Sequence, residues 1–170
     1  MILTQPRDAR FITIRRGGTL TDANHQLLAM WAASCAEHVL HYFEQIHPED
    51  NRPRRAIDLA RAWANGKVPM QESRTAAGHA NAAARNLRGS ARYAAYAAAQ
   101  AAAVGHVAAH ELGAAAYAIK AVKSAAAETE GEKVGHEECL WQRQQLPPEI
   151  RELVIDDQRL RNQACWLVFS

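Results

Sequence analysis

Apolar positions recur at intervals of three and four over most of the chain, which is the signature of helices burying one face. From Asp22 to His47 the stripe runs Leu28, Ala32, Cys35, Val39, Tyr42, Phe43 and Ile46, widened by Leu27 and Trp31. Thr21 or Asp22 precedes it as a cap, so one long helix is expected there. Pro53 suits the first turn of a second helix, where its missing N–H costs nothing; Ala56, Ile57, Ala60, Trp63 and Ala64 form its stripe, and Asn65-Gly66 closes it. A third helix is predicted from Pro69 to Arg88 with Ala76, His79, Ala80, Ala83 and Leu87 on one face. Residues 91–127 hold 19 alanines. One helix of that length would span about 55 Å, too long for a compact fold, so a break is expected between Val104 and Gly113. A shorter helix around His136–Gln145 follows the acidic loop Glu128–Glu132, and Pro147-Pro148 opens a last helix through Leu153 and Trp166. Ahead of all these, Phe11-Ile12-Thr13-Ile14 alternates weakly and runs into Arg15-Arg16-Gly17-Gly18, which reads as an extended arm and a turn.

The expected fold is therefore all-α: a compact bundle of about six or seven helices with an alanine-rich core (one domain over 21–170) behind a short extended arm over 1–20. Composition agrees. Of 170 residues 36 are alanine and only 6% are aromatic, too little β-branched and aromatic material for a sandwich or barrel. Alanine faces let helix axes approach closely, but each buries little area. Trp31, Trp63, Trp141 and Trp166 are expected to supply much of the fill. Mean hydropathy is −0.34, and the longest uncharged stretch, Tyr93 to His110, is mostly alanine broken by Gln100 and His106, too weakly hydrophobic to prefer a bilayer.

Net charge is +2, split as +5 over residues 1–92 and −3 over 93–170. Neither half reaches the basicity of a dedicated nucleic-acid binder. Cys35, Cys139 and Cys165 are odd in number, form no Cys-x-x-Cys pair and follow no secretory leader, so free thiols in a reducing cytoplasm are expected.

Candidate chemistry is sparse. His106 and His110, with Glu111 beside them, have the i, i+4 spacing of two metal ligands. Eight histidines give about 0.4 such pairs by chance, however, and Val107 stands where a zincin would carry its base. Cys35, Glu37 and His38 suggest a thiol nucleophile with a nearby base, but mid-helix N–H groups offer no oxyanion donors. A metal- or thiol-dependent hydrolase using Glu37, His38, His106 and His110 remains an alternative, as does a homo-oligomeric structural module. Arg52, Arg54, Arg55 and Arg61 cluster at one helix start, either to hold an anion or to pair internally. There is no phosphate loop, nucleophile elbow or dinucleotide fingerprint, and no cofactor is called for.

Several strings resemble a bacterial family: Arg15-Arg16-Gly17-Gly18-Thr19-Leu20, then His25, Leu27-Leu28-Ala29-Met30-Trp31 and Cys35-Ala36-Glu37-His38, and Arg52-Pro53-Arg54-Arg55-Ala56-Ile57. Gly105-His106-Val107-Ala108-Ala109-His110, Tyr117-Ala118-Ile119-Lys120 and Cys165-Trp166 extend the likeness over most of the chain. It resembles the immunity protein five-like family tied to polymorphic toxin systems, with Ser34 standing where an acidic residue is common there. The resemblance implies an all-helical cytoplasmic protein that binds and neutralises a cognate toxin without catalysis. Such a protein needs a rigid scaffold and an exposed complementary patch. Against a basic toxin, Glu128, Glu130, Glu132, Glu137 and Glu138 are the natural steering surface.

Overall fold

The computed structural model describes residues 7–170. Eight α-helices follow one another among these residues: α1 (Asp22–His38), α2 (His41–Glu44), α3 (Arg52–Ala64), α4 (Met70–Ala84), α5 (Gly89–Ala103), α6 (Glu111–Ala125), α7 (Gly131–Gln144) and α8 (Pro148–Arg161). Single turns of 3₁₀ helix at Ala9–Phe11, Ile14–Arg16, Ala108–His110 and Gln163–Cys165 join or terminate them. The fold is an all-α bundle, and the described residues contain no strand, only a lone bridge between Thr13 and Leu20.

Helix α5 lies at the centre, packed by α1, α2, α3, α4 and α6. Its sequence explains why. Ala91, Ala94, Ala95, Ala97, Ala98, Ala99, Ala101 and Ala102 are buried all around the helix, and a helix apolar on every side is stable only inside. Helix α6 continues the pattern with Leu112, Ala114, Ala115, Ala116, Ala118, Ile119 and Ala121. At Gly113 a Cβ would lie 2.4 Å from Gln100 Oε1 of α5, so the bare backbone there leaves room for that amide. Helix α7 rests on α6, and α8 touches α1 and α6.

The two alanine helices are separated by Val104–Val107 and the 3₁₀ turn, as the length argument predicts. Gly105 is required in that turn, because a Cβ would stand 2.8 Å from the Trp63 ring. Thr21 caps α1 by accepting from the Asn24 N–H at 3.1 Å, and Pro53 sits in the first turn of α3.

Several expectations are corrected. The helix over Asp22–His47 is interrupted after His38, so that Val39, Leu40 and Phe43 can all point inward, while Ile46 ends 61% exposed. The described part of the N-terminal arm is not extended. It folds into two 3₁₀ turns that bring Thr19 N–H back onto Ala9 O at 3.0 Å; residues 1–6 lie outside the described residues. His79 is exposed, and Ser73 and Ala84 take its place on the buried face of α4. Of the tryptophans only Trp31 is a full core plug, at 2% exposure, with Nε1 donating to Gln142 O at 2.9 Å. Trp63 and Trp141 are half-buried and Trp166 is 45% exposed, so leucine, isoleucine and phenylalanine supply the remaining fill. No helix among the described residues is long and apolar enough to cross a membrane.

Candidate functional site

The residues that could have formed a thiol site are drawn apart by their partners. Cys35 is fully buried, and that burial pushes its thiol well up, away from the nucleophilic thiolate. Glu37 turns to Arg61 and Arg54, accepting at 2.5 and 2.9 Å; the Arg61 bond holds its carboxyl below the usual range. His38 turns away to α7. Its Nδ1 donates to Glu138 Oε2 at 2.8 Å, and its ring stacks on Trp141 with centroids 3.6 Å apart. The other Glu138 oxygen accepts from Gln142 Nε2 at 2.8 Å. All three cysteines are free and buried.

The i, i+4 histidines share no helix face, because α5 ends at Ala103 and His106 falls in the connecting turn. His110 Nδ1 donates to Gln100 Oε1 at 2.8 Å, and burial, aided by the nearby His106 and Arg161, lowers its pKa to about 4. Glu111 is fully buried beside Asp157 and Arg161. Burial pushes its carboxyl well up, Asp157 adds to this, and Arg161 at 3.3 Å offsets only part. Asp157 accepts directly from Arg161, whose guanidinium stays charged against the penalty of burial through that bond. Among the described residues no group of three or more histidine, cysteine, aspartate or glutamate side chains is placed to hold a metal ion.

The arginine cluster is largely engaged internally. Arg52 binds Asp50, Arg54 binds Glu37 and Glu44, and Arg61 binds Glu37. Arg55 is exposed beside Leu59, Glu72 and His79. The Arg54 and Arg61 pairs stitch α1 and α2 to α3.

The acidic segment divides. Glu128, Glu130, Glu132 and Glu137 are exposed, with Glu132 reached by Lys123 at 2.6 Å, whereas Glu138 is 5% exposed and faces His38. Between α7, the end of α6 and the end of α1 lies an open groove of about 540 Å³. Tyr42, Val122 and Val134 form its apolar walls, His38 stacked on Trp141 forms one side, and Glu137 stands at its edge. The spacing of residues inside α7 places Glu137 and Trp141 on one face; that His38 joins them is a tertiary fact.

A second surface feature was not visible in the sequence. Trp166 and Leu167 both adopt φ +59°, the left-handed region that disfavours non-glycine residues, and both face outward. Lys120 Nζ lies 4.0 Å from the Trp166 ring centre and 4.7 Å from that of Tyr93, with Tyr117 5.1 Å from Trp166. The signal in the sequence is Tyr117 and Lys120 interrupting the small and apolar run from Leu112 to Val122.

A family model described as "Imm-5 like putative immunity protein" matches residues 18–149, most of the chain. The chain belongs to this family. The Imm-5 like match spans α1 through α7 and the turn that opens α8, and so contains the groove and the internally paired arginines. No curated protein and no solved structure matches the chain.

Proposed function

We propose that this Imm-5 like protein neutralises a cognate bacterial toxin by binding it, without turning over a substrate, and that the groove beside α7 is the contact. The observation that carries the reading is the family match over residues 18–149. The scaffold suits it. The buried alanine helices hold the surface rigid, and preorganised surfaces lose less entropy on binding. Glu37, His38 and His110 are each engaged with structural partners, and His106 lies apart in the turn after α5.

The groove combines features of interface hot spots. Trp141 and Tyr42 are aromatic anchors on a partly apolar floor, and truncating such residues in an interface typically costs 2 kcal/mol or more. Glu137 and Glu138 line it, and exposed Glu128 and Glu130 belong to the same acidic segment, in the half of the chain that carries −3. A basic toxin face is the occupant this charge selects, and long-range attraction would speed its arrival. We place the encounter in the reducing cytoplasm, in keeping with three unpaired cysteines.

Co-expression with candidate toxins drawn from the genomic neighbourhood of this gene tests the reading. The wild-type chain should restore growth. Trp141→Ala and Glu137→Lys, each checked for native helicity, should weaken toxin binding by about tenfold or more. Loss of the protective effect in the wild type refutes neutralisation; full affinity in both variants refutes the groove.

A further inference from the structure

A second cleft, of about 510 Å³, opens where five segments meet and shares no residue with the α7 groove. One wall is the loop Thr13–Leu20. Thr13 O accepts from both Arg16 and Gly18 N–H groups, at 2.8 and 3.1 Å, and Gly17 takes φ +85°. Gly18 is wedged under Ile12, where a Cβ would fall 2.0 Å from the Ile12 carbonyl oxygen. This tight fold sets Arg15 and Arg16 at the mouth. The opposite wall holds Trp63 of α3, Met70 at the start of α4, and Gly105 and His106 of the turn between the alanine helices.

Charge in the cleft is unbalanced. Arg15 is paired with Asp22 at 2.9 Å, but among the described residues Arg16 has no acidic partner. Burial lowers the His106 pKa, and the positive charges of Arg74, Arg16 and Arg7 lower it further. His106 Nδ1 is buried and has no hydrogen-bond partner among the described residues. Because Nδ1 is shut off from solvent, a group in the cleft would meet the other ring nitrogen, Nε2. His25, also in the cleft, is already engaged, with Nε2 donating to Val104 O at 2.7 Å. A cation would be repelled by this set; a group with several acceptor oxygens and negative charge would satisfy it. The volume lies in the range of small-molecule sites.

We propose that this cleft binds a small oxyanion, a phosphoryl or carboxylate compound, held by the Arg16 guanidinium and the His106 imidazole N–H with Trp63 as the wall for its organic portion. The site is independent of the toxin-binding reading and would stand if that reading failed.

Titration calorimetry on the full chain at fixed ionic strength, with inorganic pyrophosphate and with citrate, tests it. Saturable one-to-one binding of at least one probe is expected, weakened at least tenfold in Arg16→Ala and in His106→Ala and unchanged in Arg88→Ala, an exposed arginine outside the cleft. Pyrophosphate alone would identify a phosphoryl ligand, citrate alone a carboxylate, and both an oxyanion held by charge. Absence of saturable binding by either probe overturns the proposal. So does affinity retained in Arg16→Ala, or an equal loss in Arg88→Ala. Arg16 is exposed, so its variant decides the matter even where circular dichroism shows that His106→Ala does not fold.

Discussion

Helices α5 and α6 and helices α7 and α8 achieve burial in opposite ways. In the first pair nearly every inward group is aliphatic, most of them single methyls, and Glu111 at the start of α6 is the buried exception. In the second pair the inward groups include Glu138, Gln142, Asp157, Gln158 and Arg161, and fit depends on polar partners. Gln142 donates to Ala115 O and to Glu138; Gln158 accepts from Arg143; Arg161 binds Asp157 and Glu111. The difference teaches where each kind of specificity is useful. Close-packed alanines give a stiff centre that tolerates no added volume. The flanking helices carry buried polar groups on one side, and α7 leaves Trp141 and Glu137 on the other, where a partner can reach them.

The comparison is broken most severely by Arg161→Ala. It strands Asp157 and Glu111 in a buried site, and removing one partner of such a set costs about 3–5 kcal/mol. Urea unfolding measures this, and a loss under about 1 kcal/mol would show that the polar flank is not held by its charges. Acid comes next. His110 has a folded pKa of about 4 against an unfolded value of 6.5. The unfolded chain therefore binds the proton first as pH falls. This contribution to stability is intact above about 6.5, declines to about pH 4 and levels below it, for a total of about 3 kcal/mol. His25, likewise lowered by burial, acts in the same direction. Urea midpoints between pH 7 and 5 should fall, and His110→Gln should flatten the slope.

Ala98→Leu probes the steric half. Ala98 is 0% exposed at the centre of the bundle, so the larger side chain should cost about 1–3 kcal/mol by overpacking, read as a lowered Tm. A neutral outcome would reveal slack in the alanine core. The smallest effect is expected at Leu167→Gly. Leu167 is 62% exposed at φ +59°, and relief of left-handed strain should raise stability by up to about 1 kcal/mol. A clear loss of Tm would mean that its exposed side chain contributes more than the strain removes.

The helical regions and the break between Val104 and Gly113 were legible, because periodicity, proline position and length are local properties. The end of α1 was not. A stripe continuing through Phe43 and Ile46 cannot reveal that the chain bends after His38 to bury Val39 and Leu40 together. The tryptophans differ from expectation for a related reason: large apolar side chains are candidates for the core, but only neighbours decide which are covered. Of the candidate site, Glu137 and the acidic run were visible as charge. The His38–Glu138 bond joins residues 100 positions apart and was not.

By itself the sequence determined the class of the fold, since alanine-rich 3.6-residue periodicity admits little besides close-packed helices. It also determined the family, through strings that survive without coordinates. Tertiary structure alone decided which polar groups meet. Arg161 reaches Glu111 across 50 residues, and the loop at Arg16 faces the turn at His106. Those encounters depend on how whole helices pack, and helix packing is a sum over many weak contacts that no local pattern encodes.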